Sequence, residues 1–153
     1  MNETVVCVGA VVRRANEVLL VRQSAGHSLE GQWTIPWGRL GRGESPSAAA
    51  LRETHEEGGI TAEIDGLLGV QELPEPWVGM IGIIFLCRHS DGEPKPDNIE
   101  TDAARYFDRE AFEQLSGTLE PFSRWLVDRI FRERYVSVTS DESNPFFPSA
   151  SYV

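Results

Sequence analysis

Cysteine is scarce: the 153 residues contain two, Cys7 and Cys87, each inside an apolar run. That is too few for a disulfide framework, and no zinc-ligand spacing accompanies them. They read as buried thiols of a reduced compartment, with a Cys7–Cys87 pairing left open. Basic residues are also short, 14 against 24 acidic, for a formal net charge of −10. A surface that negative repels nucleic-acid backbones and anionic membranes, so neither a nucleic-acid duplex nor a membrane is an expected partner. It repels free nucleotides as well, so a phosphate-handling site here needs cations to reverse the local field. No apolar run reaches the length of a membrane span. The run Val5–Val12 precedes the basic pair Arg13-Arg14 instead of following it, so no secretory leader is read, and a cytoplasmic location is expected.

What is present suits one globular domain. The length can bury a core without staples, and 41% hydrophobic residues argues against a mainly disordered chain. Val5–Val12 and Glu17–Val21 read as two strands joined by a polar turn, and Trp33-Thr34-Ile35 as a short strand stopped by Pro36. Gly38, Gly41 and Gly43 then mark irregular backbone. Ser45 suits a helix cap, Pro46 the first helical position and Gly58-Gly59 the stop, with good helix formers between. Ile60–Leu73 reads as one bent strand or two short ones, broken near Asp65-Gly66. Met80–Cys87 is the most apolar strand, Ala104–Phe107 a short one, and Arg109–Leu115 a short helix. In a final helix opened by Glu120-Pro121, Phe122, Trp125, Leu126 and Ile130 recur at helical spacing and read as core contacts. The pattern implies an α/β arrangement with a mixed sheet over residues 1–136, and a loosely attached tail over 137–153, rich in Ser, Pro and Asp.

The chemistry concentrates in Gly38–Ile60. On a helix from Pro46 to about Glu57, the acids Glu53, Glu56 and Glu57 are spaced i, i+3, i+4 and share one side. They crowd the C-terminal turn, where the helix dipole disfavours anions by roughly 0.3–1 kcal/mol each. The plainer alternative is a solvated acidic face, with Arg52 pairing Glu56 at i+4. A hard divalent cation instead turns the repulsion into coordination, and oxygen-only ligands point to Mg²⁺ or Mn²⁺.

These residues resemble the signature of the Nudix hydrolase family, G-x5-E-x7-R-E-U-x-E-E-x-G-U with U a bulky aliphatic residue. Gly38, Glu44, Arg52, Glu53, Glu56, Glu57, Gly59 and Ile60 fall in register. Thr54 stands where an aliphatic is usual, and Pro36-Trp37-Gly38 where the family commonly has Pro-Gly-Gly. The Trp37 ring must turn either towards the core or over the diphosphate site. The resemblance implies an α/β/α sandwich that hydrolyses a nucleoside diphosphate linked to another group, with Mg²⁺ or Mn²⁺. By position it implies Glu53, Glu56 and Glu57 as metal ligands, helped by the Gly38 carbonyl, with Glu44 supporting the loop or the outer metal shell and Arg52 orienting the carboxylates. The general base is open among Glu53, Glu56, Glu100, Glu72 and Glu75. Outside the box Glu100 is preferred, because it precedes Arg105-Tyr106-Phe107 as an acid often does in relatives.

Substrate contacts must come from elsewhere. Arg22, at the end of the second strand, suits a phosphate, Trp77 a base, and Trp37 the substrate side of the box. His27, His55 and His89 show no ligand spacing and read as surface or loop residues. The expected partner is a small nucleotide, either a nucleoside triphosphate or a nucleotide sugar. A dinucleoside polyphosphate, or a sensor that binds without cleaving, are the alternatives. The oligomeric state stays open, a homodimer included.

Overall fold

The computed structural model describes residues 4–115 and 117–153. β1 (Val6–Arg14) and β2 (Glu17–Gln23) form the expected hairpin but pair only beside their turn, Arg13 with Val18 and Arg14 with Glu17. β2 then diverges and takes β3 (Trp33–Thr34) and β7 (Thr101–Phe107) as antiparallel neighbours. The stretch of β1 so released, Cys7–Gly9, is covered by β4 (Trp37–Arg39). Irregular backbone was the expectation around Gly38. A short strand forms because the open edge of β1 presents buried N–H and C=O groups that need partners.

On its other edge β1 runs parallel to β6 (Ile81–Asp91), and β5 (Thr61–Glu72) closes antiparallel on β6, so the sheet is mixed. β5 is continuous. The expected break at Asp65-Gly66 is a register shift between Ile64 and Gly66, followed by another between Leu67 and Gly69. Such bulges bend a strand without ending it.

α1 (Pro46–Gly58) begins as its sequence suggests: the Ser45 side chain accepts the Ala48 N–H, and Pro46 opens the first turn. It ends at Gly59, which takes the left-handed conformation (φ 74°) while its N–H caps His55 O. α2 (Arg109–Glu113) is shorter than expected. α3 (Pro121–Phe131) is capped by Glu120, whose carboxylate accepts the Phe122 and Ser123 N–H groups at 2.8 and 2.7 Å.

Strand alternation sorts the core into two layers. Val8, Ala10, Val12, Leu19, Phe85 and Cys87 pack with Ala49 and Ala50 of α1. Val11, Val18, Leu20, Ile84 and Leu86 pack with Phe112 of α2 and with Leu126, Val127 and Ile130 of α3. The result is the α/β/α sandwich. Trp125 departs from its expected core position: it is 53% exposed, with its ring 5.9 Å from that of Phe122. Cys7 and Cys87 are unpaired and buried, and burial pushes the Cys87 thiol up to about 12. A thiol held that far above its usual range is unreactive at neutral pH.

The segment 137–153 contacts the domain near both of its ends. Val138 exchanges both main-chain hydrogen bonds with Leu67 of β5, and the Tyr152 ring stands 5.7 Å from that of Phe85. Most residues between these contacts are exposed. No helix among the described residues is long and apolar enough to cross a membrane.

Candidate active site

The C-terminal half of α1 carries the acidic residues, and its packing separates them. The helix lies against the sheet, so Glu53 and Glu57, four apart, both turn inward and are 6% and 2% exposed. Glu56, between them in sequence, faces outward with a side chain 48% exposed. Thr54 takes the fully buried place beside them by donating its hydroxyl to Ala50 O at 2.8 Å. Its polar group is thereby satisfied within the helix, and the residue can stand where an aliphatic is usual.

The third converging acid comes from elsewhere in the chain. The loop before β7 brings in Glu100, so that Glu53, Glu57 and Glu100 each offer one oxygen within 4.8 Å of the others. This group contains neither Glu56, Glu72 nor Glu75. Gly38, in β4, lies directly against Glu53: a Cβ there would overlap the carboxylate, so only glycine lets the strand approach this closely.

The electrostatics follow from this crowding. Burial first, and then the charges of Glu53, Glu100 and Asp97, push the Glu57 carboxyl up to about 9 against the Trp37 N–H, which lies 3.3 Å from Glu57 Oε2 and opposes the rise. Glu53 is raised too, chiefly by burial, against the pull of Arg52. Buried carboxylates gathered without a matching number of cations are costly unless something binds among them. Oxygen donors at this mutual distance fit a hard divalent ion such as Mg²⁺ or Mn²⁺.

Arg52 braces the cluster from outside. Its guanidinium binds Glu44 in a fork, Nε to Oε2 at 2.7 Å and Nη2 to Oε1 at 2.9 Å. Nη1 donates to Glu53 Oε1 at 2.9 Å and Glu56 Oε2 at 3.1 Å, and Nη2 also reaches Arg39 O at 3.1 Å. Glu44 accepts the Gly41 N–H at 2.9 Å, so one carboxylate ties the glycine loop to the arginine; these bonds hold its pKa down at about 2. The i,i+4 pairing of Arg52 with Glu56 therefore coexists with an inward-facing acidic cluster.

Of the two directions open to the Trp37 ring, the structure takes the one towards the core. The ring lies on β1 and β6 where both carry glycine: a Cβ at Gly9 or Gly82 would come within 2.5 or 2.7 Å of it. Phe122 of α3 covers it at 6.5 Å. The residue faces the carboxylates only through its main-chain N–H. Trp37→Gly is expected to empty this seat and lower stability by about 2–4 kcal/mol, read as a fall in the urea midpoint. An unchanged midpoint would show that the ring contributes no packing.

The other expected substrate contacts lie apart from the cluster. Arg22 is engaged by Asp102 at 2.7 Å, and Trp77 stands 48% exposed in the loop between β5 and β6. His27 and His55 are exposed; His89 lies in β6, half-buried, its Nδ1 2.7 Å from the Tyr106 hydroxyl. Two residues beside Glu100 carry no motif in the sequence: Asp97 in its loop and Thr101, the first residue of β7. The signal for them was local, an Asp followed by a turn and a Thr four residues on.

Comparison with known proteins matches the chain at this site and beyond it. The model of a family described as the NUDIX domain matches residues 3–128. The 8-oxo-dGDP phosphatase NUDT18 of Danio rerio is 36% identical over 107 residues, 68% of this chain and 32% of that protein. The chain thus spans about a third of that relative's length. The ADP-ribose pyrophosphatase of Methanocaldococcus jannaschii is 27% identical over 126 residues, 78% of this chain and 73% of that protein. Among solved structures, a NUDIX hydrolase from Nitrosomonas europaea superposes with a TM-score of 0.76 at 26% identity, covering 88% of this chain and 73% of that one.

Proposed function

The chain belongs to the NUDIX family, and from that premise we propose that it hydrolyses the diphosphate linkage of a small nucleoside diphosphate derivative with Mg²⁺ or Mn²⁺. The observation that carries this reading is the convergence of Glu53, Glu57 and Glu100 on one point. Two of the three are buried at the unfavourable end of a helix, where a chain with no ion to bind gains nothing from keeping them. Relatives whose names specify 8-oxo-dGDP and ADP-ribose support the substrate class, since both compounds carry a diphosphate on a nucleoside.

In this reading Glu53, Glu57 and Glu100 hold the cation, with the Gly38 carbonyl beside them and Glu56 as the outward member of the set. When bound, the cation neutralises charge on the phosphates and activates water for attack. The chain's own groups do the rest. Glu100, the exposed acid, accepts the proton of the attacking water as the new O–P bond forms and the bridging P–O bond breaks. Arg52 keeps Glu53 and Glu56 in place, and Glu44 keeps Arg52 in place.

Of the three residues expected to meet the substrate, Trp37 has a different part from Arg22 and Trp77. Trp37 acts through its N–H on Glu57. Arg22 reaches a phosphate only by leaving Asp102. Trp77, in an exposed loop, is the ring that can close on a base.

A panel of 8-oxo-dGDP, ADP-ribose, a UDP-sugar, a nucleoside triphosphate and a dinucleoside polyphosphate tests the reading. With Mg²⁺ or Mn²⁺, at least one should release a nucleoside monophosphate, and chelation should stop it. Failure to cleave any of them with either ion, or undiminished turnover in excess chelator, would sink it.

A further inference from the structure

We propose that Asp97 and Thr101 form a clamp that fixes the Glu100 loop to the end of α1, which makes Thr101 a positioning residue for Glu100. The inference rests on the reading of Glu100 as a member of the cation-binding set. Glu100 is exposed and lies in a loop beside Glu53 and Glu57, two acids that repel it in their charged forms. Left to itself, such a side chain and its backbone swing into water, away from Glu53 and Glu57. Something must hold the loop against that repulsion.

The hydrogen bonds around the loop do so. Asp97 Oδ1 accepts three successive main-chain N–H groups, from Ile99, Glu100 and Thr101, at 2.8, 2.9 and 3.0 Å. The Asn98 N–H closes the turn onto Thr101 O at 2.9 Å. The loop is thus folded around one carboxylate oxygen, with Glu100 at its centre.

Thr101 then joins this unit to the helix. It is fully buried, and its hydroxyl donates to Glu57 O at 2.8 Å. The last carbonyls of an α-helix lack partners within the helix. Here the loop supplies two of them, Thr101 Oγ to Glu57 O and the Lys95 N–H to Gly58 O at 2.8 Å. The residue gripped is Glu57 itself, so a single bond sets the Glu100 backbone relative to the main chain of its partner acid. On the opposite side the Ser24 N–H binds Glu100 O at 2.9 Å, which leaves the loop no room to drift.

A helix cap alone would stabilise the fold without acting through Glu100, and a double-mutant cycle in metal affinity separates the two roles. Mn²⁺ alone is titrated into the full chain, and the free ion is read by electron paramagnetic resonance. Thr101→Val is expected to weaken Mn²⁺ binding about 10-fold and Thr101→Ser, which restores the hydroxyl, less than about 2-fold. In a Glu100→Gln background, Thr101→Val should cause no further loss. Asp97→Ala, at a half-buried position in the loop, should repeat this pattern and serves if Thr101→Val does not fold. Wild-type affinity in Thr101→Val, or in Asp97→Ala where that variant stands in for it, would overturn the clamp. An equal loss with and without Glu100 would do the same. A different result marks failure of the underlying reading: Glu100→Gln by itself would bind Mn²⁺ as the wild type does.

Discussion

Glu57→Gln is expected to lower turnover at least about 100-fold while leaving the fold intact. Outer partners of metal ligands already cost 10–100-fold when removed, and on the proposed reading Glu57 is one of the ligands themselves. The substitution keeps shape and burial, and glutamine can still accept the Trp37 N–H. It removes the most deeply buried carboxyl of the cluster, whose ionised form burial disfavours.

The same variant carries a signature in stability against pH. Glu57 holds its proton up to about 9 in the fold, far above an exposed carboxyl. A group whose pKa is raised on folding contributes fully below its unfolded value, and that contribution is lost as pH rises through the folded one. The cation-free wild type should therefore lose stability steadily from about pH 5 to 9, and Glu57→Gln should flatten that slope. Added Mg²⁺ should restore the wild type at high pH, by mass action on the folded state, and should leave the variant unmoved. Parallel urea curves at pH 6 and pH 9 provide the measurement; the same slope in both proteins would remove Glu57 as its source.

Arg52→Lys is the second large effect, an expected 10–100-fold loss in kcat/KM with the charge conserved. Lysine offers three donors from a single atom and cannot form the planar fork that spans several carboxylates. The guanidinium binds Glu44 through two parallel bonds and still has donors for Glu53, Glu56 and Arg39 O. An ammonium leaves Glu53 without its brace and uncouples Glu44 from the helix. Because the lost bonds lie around the proposed ligands, Mn²⁺ affinity should fall with activity, whereas thermal stability should change little at a group about one-third exposed. Steady-state kinetics beside an Mn²⁺ titration test this, and full activity in Arg52→Lys would reduce the arginine to a point charge.

Much of the fold could be read from local signals, because those signals are short-range in the structure too. The Ser45 cap, Pro46 and Gly59 bound α1 through contacts within four residues. The β1–β2 hairpin and the apolar strand β6 follow from continuous apolar runs and, between β1 and β2, a polar turn. β4 could not be read this way. Trp37–Arg39 becomes a strand only because β2 turns away from β1 and leaves an edge uncovered, a fact about pairing over some thirty residues. The Trp37 ring is a similar case: its seat needs glycine at two remote positions, Gly9 and Gly82, and their joint meaning appears only when β1 lies beside β6.

Read alone, the chain determined that acids gather at the end of α1, that Arg52 and Glu44 accompany them, and that a hard cation suits such a set. Those are statements about residue type and helical spacing, which survive any packing of the helix. Only the tertiary structure decided which acids converge. The helical repeat puts Glu53, Glu56 and Glu57 on one side, but the line where α1 meets the sheet divides that side, turning Glu53 and Glu57 inward and Glu56 to water. The place vacated is taken by Glu100, more than forty residues away, because a loop folded around Asp97 docks on the helix end. Periodicity fixes angles around one axis; the third carboxylate depends on the distance between two separate elements, which no local pattern encodes.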